Sequence, residues 1–153
     1  MSLNKILKEF IRPNKIDYFC VADLSSMKDF IESIGGKLIS KYPKSASIGI
    51  ILPDSIVDEL PRRSEHEVAA SYRRPYDQTN QRLNIVTGKL KSLLEEEGYD
   101  AFPVPASERY DDENIAAIFS DKLAAHQAGL GWIGKSCLLI TPESGPRVRW
   151  ATV

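Results

Sequence analysis

Residues 128–136, AGLGWIGKS, decide how this chain is to be read. Gly129 to Ser136 satisfies the pattern G-x-x-x-x-G-K-[ST], and its first six residues satisfy G-x-G-x-x-G. Both patterns describe loops that cradle phosphates. Such a cradle needs a strand before it and a helix after it, so that the helix N-terminus faces the phosphates. Here the order is reversed. Asp121 to Ala128, opened by Ser120, reads as a helix, and Cys137 to Thr141 (CLLIT) reads as a strand. Only 17 residues follow Ser136, and no acidic residue ends a hydrophobic strand where a magnesium ligand would stand. The order argues against a nucleotide loop, and two readings stay open. In one, Gly129 caps the helix, and Gly131 and Gly134 permit a sharp reversal into the strand. In the other, Trp132 and Lys135 beside three glycines mark a backbone that a ligand approaches closely.

Outward from this turn the chain alternates helical and extended signals. Ile6, Leu7, Phe10 and Ile11 predict a short amphipathic helix closed by Pro13. Asp17 to Leu24 reads as a strand. Ser26 and Asp29 resemble a capping box for a helix that Gly35 and Gly36 end. Ala46 to Leu52, ASIGIIL, predicts a central strand stopped by Pro53. Pro61 to Pro75 is polar and reads as a solvated loop carrying Arg62, Arg63, Arg73 and Arg74. A helix from about Asp77 to Glu97 follows, with Tyr76, Asn80, Leu83, Val86, Leu90 and Leu93 or Leu94 inward and Gly98 as its stop. Ala101 to Pro105 is short and extended, and its two prolines suit a sheet edge or an exit loop. Asp111 or Asp112 caps a short helix through Ile115, Ile118 and Phe119. Pro142 to Pro146 predicts a turn, and Arg147 to Val153 a strand returning along Cys137 to Thr141. The expected fold is α/β: three layers, a mixed β-sheet flanked by helices, in one domain over residues 1–153.

The composition is that of a globular protein, with 42% hydrophobic and 27% charged residues. A net charge of −1 offers no global field for nucleic acid, so no such partner is expected of this domain. No apolar run approaches the roughly 20 residues of a membrane span, and the N-terminus lacks the apolar core of a signal peptide. A cytoplasmic protein is expected, with Cys20 and Cys137 reduced and buried. Without a Cys-x-x-Cys pair, no ligand set for an iron–sulfur cluster or structural zinc is legible, and no metal residues are assigned. His126, on the helix before the turn, reads as a surface or satisfied side chain, and His66 is the other histidine. Asn80, an amide on an apolar face, either ties down a loop or touches a ligand. Tyr72, Tyr76 and Tyr110 each offer a hydroxyl, and spacing selects none of them as a proton donor.

The run from Asp121 to Val153, DKLAAHQAGLGWIGKSCLLITPESGPRVRWATV, resembles a segment of the epoxyqueuosine reductase-like iron–sulfur proteins, relatives of the corrinoid reductive dehalogenases. Tyr76 to Asn80 (Y-x-x-x-N) and Gly98 to Ala106 (G-Y-x-A-x-P-x-P-A) are similar to a branch of that family. The resemblance implies a corrinoid-binding domain followed by a ferredoxin-like domain with two iron–sulfur clusters that feed electrons to cobalt. It implies cobalamin as cofactor, with Gly129, Gly131, Trp132, Gly134, Lys135, Ser136 and Asn80 as its candidate contacts, and an oxidoreductase as the parent protein. The alternative function is a non-catalytic interaction or regulatory module that keeps the scaffold without the cofactor. The chain ends inside RVRWATV, so it reads as truncated before the ferredoxin-like domain, its missing partner. The open strand end suggests a homodimer. The aspartate that serves as proton donor in epoxyqueuosine reductases falls, counted without gaps, on Ile115; Asp111, Asp112 and Glu113 lie nearby out of register. The resemblance therefore assigns no catalytic residue.

Overall fold

A computed structural model describes residues 2–62, 64–104, 106 and 118–153. Helix α1 (Leu3–Ile11) leads to strand β1 (Tyr18–Asp23) and, after a short 3-10 turn, to helix α2 (Lys28–Ser40). Strand β2 (Lys44–Ile51), the one-turn helix α3 (Asp54–Val57) and the long helix α4 (His66–Glu96) follow. The last part holds helix α5 (Asp121–Gln127), the two-residue strands β3 (Trp132–Ile133) and β4 (Leu139–Ile140), and strand β5 (Val148–Thr152).

The main sheet has the order β1-β2-β5, so the ASIGIIL run is the central strand as its apolar character predicts. Val104 adds an antiparallel bridge to Thr152 beyond β5, matching the edge expected of Ala101 to Pro105. Alternation along β2 sends Ala46, Ile48 and Ile50 to one face, where Ile48 meets the fully buried Leu83 and Leu90 of α4 and the buried Leu7 of α1. Each large side chain buried there contributes about 1.5–3 kcal/mol. The other face of β2 carries Ser45, Ser47 and Gly49, with Ile51 at its exposed end, and against it lies α5 with the fully buried Ala124 and Ala125. Small residues on both sides let this helix approach the sheet closely. Trp150 on β5 closes over Gly49: a Cβ there would fall 2.7 Å from the indole and 2.9 Å from Tyr18 Cβ. Helices on both faces give the three layers and the α/β class expected.

The described pairings are all antiparallel, where a mixed sheet was expected. The reason lies in α2. Gly36 has φ 72 and ψ −174, a conformation open to glycine, and the helix breaks there rather than ending. The chain thus re-enters the sheet at the end it left, clasped by the Leu24 N–H bond to the Pro43 carbonyl at 2.8 Å. The capping box does not form either: no side chain caps α2, and Asp23 instead accepts from the Ser25 N–H at 2.9 Å.

Three further expectations change. The long helix begins at His66 and absorbs much of the stretch expected to be a loop, running through Pro75. Buried Val68 and the tilted, contacting rings of Tyr72 and Tyr76, 5.7 Å apart, hold it where propensity alone would stop it. Strand β5 pairs with β2, not with the Cys137 to Thr141 segment. That segment folds back on β3, because Cys137 takes a left-handed turn (φ 59) and its N–H bonds the Gly134 carbonyl at 3.0 Å. The same turn position leaves Cys137 exposed, and Cys20 is half-buried, so the thiols are unbridged but not buried. The expected helix from Asp111 or Asp112 through Ile115 lies outside the described residues, as do Arg63, Pro105, Tyr110 and Glu113. Among the described residues no helix is long and apolar enough to cross a membrane.

Candidate functional site

The glycine-rich turn is a hairpin mounted on the C-terminus of α5. Gly129 has φ 76, and the Leu130 N–H reaches back to the Ala125 carbonyl at 3.0 Å, the bonding of a Schellman cap. Beyond it, β3 and β4 pair as Trp132 with Ile140 and Ile133 with Leu139. Gly131 is required by this pairing: a Cβ would fall 2.2 Å from the Ile140 carbonyl oxygen. At Gly134 a Cβ would meet Ile140 Cδ1 at 2.6 Å. A helix precedes the turn and a strand follows it, the order read from the sequence, and no helix leaves Ser136 to present N–H groups to a phosphate.

Closure of the hairpin accounts for the glycines, but not for what the hairpin displays. Trp132 is 51% and Ile133 45% exposed, and Lys135 and Ser136 are exposed at the tip. Phe30 and Ile34 of α2 are also exposed, and with Leu123 and Ile133 they line an apolar cleft of about 200 Å³. An apolar cleft beside an exposed aromatic is the kind of surface that takes a ligand or a partner.

Asn80 is not brought to this surface. It lies on the α4 side of the sheet, where its Oδ1 accepts from Arg149 Nε at 3.1 Å, and the Arg149 guanidinium sits 4.2 Å above the Tyr76 ring. Beside them, burial raises the Tyr72 hydroxyl pKa. Of the other candidates, Arg62 pairs with Glu65 and Arg73 with Asp77 along solvated faces. His126 holds the hairpin, its Nδ1 2.9 Å from the Gly131 carbonyl oxygen.

Asp121 is a residue that sequence reading passed over as a helix start. Ser120 caps α5, its hydroxyl accepting from the Leu123 N–H at 3.3 Å, and this turns Asp121 toward the sheet. Its Oδ1 is sealed from solvent, and burial pushes the carboxyl up to about 7, with Thr152, Arg149 and Lys122 pulling the other way. Asp121 and Thr152 are neighbours, yet neither Asp121 Oδ1 nor Thr152 Oγ1 has a well-formed hydrogen bond. Ser45 Oγ, Ser47 Oγ and Trp150 Nε1 are likewise buried without one. All five project between α5 and one face of the sheet. The spacing of Asp121 to the buried Ala124 and Ala125, three and four residues on, was the signal available in the sequence.

No protein-family model matches the chain, and no curated protein sequence does. Solved structures match by fold. A crystal structure of selenomethionine-labelled epoxyqueuosine reductase superposes with a TM-score of 0.54 at 16% identity, covering 99% of this chain and 45% of that one. A crystal structure of epoxyqueuosine reductase with a tRNA-Tyr epoxyqueuosine-modified stem loop gives 0.51 at 17% identity, with the same coverage. The chain thus has the fold of somewhat less than half of those proteins.

Proposed function

We propose that this chain is the cofactor- and substrate-binding domain of a corrinoid-dependent iron–sulfur reductase resembling epoxyqueuosine reductase. The observation that carries the reading is the exposed apolar hairpin, Trp132 and Ile133 with Lys135 and Ser136 at its tip, set on a fold shared over 99% of the chain. The residues present suit cobalamin. Trp132 would lie along a flat macrocycle, Lys135 and Ser136 would meet its polar amide rim, and Ile133, on the other face of the strand, would line the cleft with Phe30 and Ile34. When bound, cobalt supplies the electron-transfer chemistry, fed by iron–sulfur clusters of a ferredoxin-like domain elsewhere in the parent protein. The chain's own contribution is orientation and exclusion of water. In this reading the protein works in the cytoplasm, where both thiols stay reduced. Asn80 contributes through Arg149 to the packing of α4 on β5, and not to the cofactor surface.

Counted without gaps, the position of the family's proton donor falls on Ile115, so this reading names a reductase and no particular substrate. A second reading, a scaffold without cofactor, draws on Gly131 and Gly134, which the hairpin needs for its own closure. Ultraviolet–visible spectra of cobalamin mixed with the protein separate the two: the first reading expects a saturable change in the cobalt bands, the second an unchanged spectrum.

A further inference from the structure

A cavity of about 390 Å³ lies at the end of the sheet opposite the glycine hairpin. The hairpin packs at the Val148 end of β5 through Leu130, whereas the cavity is lined at the other end by Ser45 and Thr152. Its walls are apolar, with Leu7 from α1, Leu24, Ile39 from α2, Phe102 and Phe119 among them. The volume falls within the range of small-molecule sites. At roughly 30 Å³ for each water-sized atom it holds about a dozen non-hydrogen atoms.

Two features of the lining specify chemistry. Ser45 and Thr152 are 3% and 2% exposed, and the hydroxyl of each is buried without a hydrogen-bond partner. A buried hydroxyl left unsatisfied costs about 1–3 kcal/mol, so both call for a polar group. Ser47 pairs with Thr152, which makes Ser45 and Thr152 diagonal neighbours on one face, with side chains roughly 7 Å apart. Two bonds of about 2.8 Å through a single atom reach only about 5.6 Å, so one polar group of a ligand serves one of the two hydroxyls directly. The charged residues at the cavity are already committed. Lys44 pairs with Asp23, and Asp100 pairs with Lys41 at 2.9 Å. The bond from Lys44 holds the Asp23 carboxyl well below its usual range, and the bond from Lys41 lowers that of Asp100. A further ionisable neighbour is Asp121, which abuts Thr152 from α5 and whose carboxyl is pushed up to about 7 by burial, so a second carboxylate is disfavoured there.

We propose that this cavity binds a small neutral molecule, largely apolar, through one hydrogen-bonding group at Thr152 Oγ1, with Ser45 Oγ as its diagonal neighbour. The cavity adjoins the cleft beside the hairpin, sharing Ile31 and Phe119 with it, but the proposal does not depend on the cofactor reading.

The probes are 2-naphthol, naphthalene and 2-naphthoate, which share a ring system and differ in polar group. They are titrated into the full chain and followed by amide chemical shifts. The expected order has 2-naphthol about tenfold tighter than naphthalene, the worth of one to two net hydrogen bonds, with the charged 2-naphthoate weakest. Thr152→Val should erase the advantage of 2-naphthol and Thr152→Ser should keep it. Thr152→Ala repeats the test should the valine variant fail to fold. Val21 lines the same cavity but is largely exposed, so Val21→Trp should block all three probes while leaving the melting temperature unchanged. Equal binding of naphthol and naphthalene, no binding of any probe, or full binding by Val21→Trp would each overturn the proposal.

Discussion

Nδ1 of His126 lies 2.9 Å from the carbonyl oxygen of Gly131, which ties the helix to the first limb of the hairpin it carries. One turn earlier on the same face of α5, Lys122 donates to the Cys137 carbonyl at 2.6 Å and ties down the second limb. A pair of two-residue strands is marginal by itself in water. Here one helix clamps it at both ends, so the exposed Trp132 and Ile133 are held in place without being buried.

Gly131→Ala should destabilise the protein more than Gly129→Ala. The alanine methyl at Gly131 meets backbone 2.2 Å away on the paired strand, and overpacking against atoms that cannot rotate aside costs about 1–3 kcal/mol or more. At Gly129 the space is open, and only the left-handed backbone is penalised, by about 1–2 kcal/mol. Urea denaturation of both variants checks the order. A Gly131→Ala protein as stable as wild type would mean that β3 and β4 do not pair in this register.

How much of this was legible in the sequence depends on whether the deciding interaction is local. Ser120, Asp121 to Gln127 and Gly129 carry their own cap, helix and stop, and the segment order that argued against a nucleotide loop followed from them. The ASIGIIL run named the central strand for the same reason. The helical reach from His66 past Pro75 was hidden, because it depends on the burial of Val68 and on Arg149, far off in sequence, lying over the Tyr76 ring. The partner of β5 was hidden too: two apolar runs close in sequence looked paired, while the left-handed Cys137 sent one of them back on itself. Asn80 was read as a buried amide in need of a partner, but the sequence could not say that its partner is Arg149 on the sheet face away from the hairpin.

Asp121 should make stability fall as pH rises. Its folded pKa, about 7, stands above the ordinary 3.8, so the native state binds its proton more tightly than the unfolded chain. Its contribution is fully favourable below about pH 4, declines through pH 4–7, and is flat above that. At 1.36 kcal/mol per unit the loss is at most about 4 kcal/mol. Asp121→Asn should flatten the profile over pH 4–7 and be the more stable protein at pH 8. Parallel profiles for the two proteins would show that the carboxylate is solvated in the folded state.

Gly49→Ala should cost about 1–3 kcal/mol, with no change in backbone preference to explain it. The added methyl would meet the Trp150 ring at 2.7 Å and Tyr18 Cβ and Val148 Cγ1 at 2.9 Å each. The loss should come with a changed near-ultraviolet signal from Trp150. Thermal melts and circular dichroism check both, and an unperturbed Trp150 signal would contradict the packing described.

Calorimetry with ATP and magnesium should give no saturable heat, despite the G-x-x-x-x-G-K-[ST] match. The hairpin turns Ser136 into a strand, so no row of helix N–H groups faces a phosphate. Micromolar affinity would show that the turn rearranges into a phosphate cradle.

The central claim is that the hairpin surface binds a corrinoid, and cobalamin titration of the full chain and two variants tests it most directly. Trp132→Ala removes an exposed ring, so its melting temperature should match wild type while its affinity for cobalamin, read from the cobalt absorption bands, falls about tenfold or more, the range of a buried aromatic contact. Asn80→Ala, on the opposite face of the sheet, should leave that affinity unchanged. A spectrum that wild-type protein does not alter, or an affinity that Trp132→Ala leaves intact, would contradict the account.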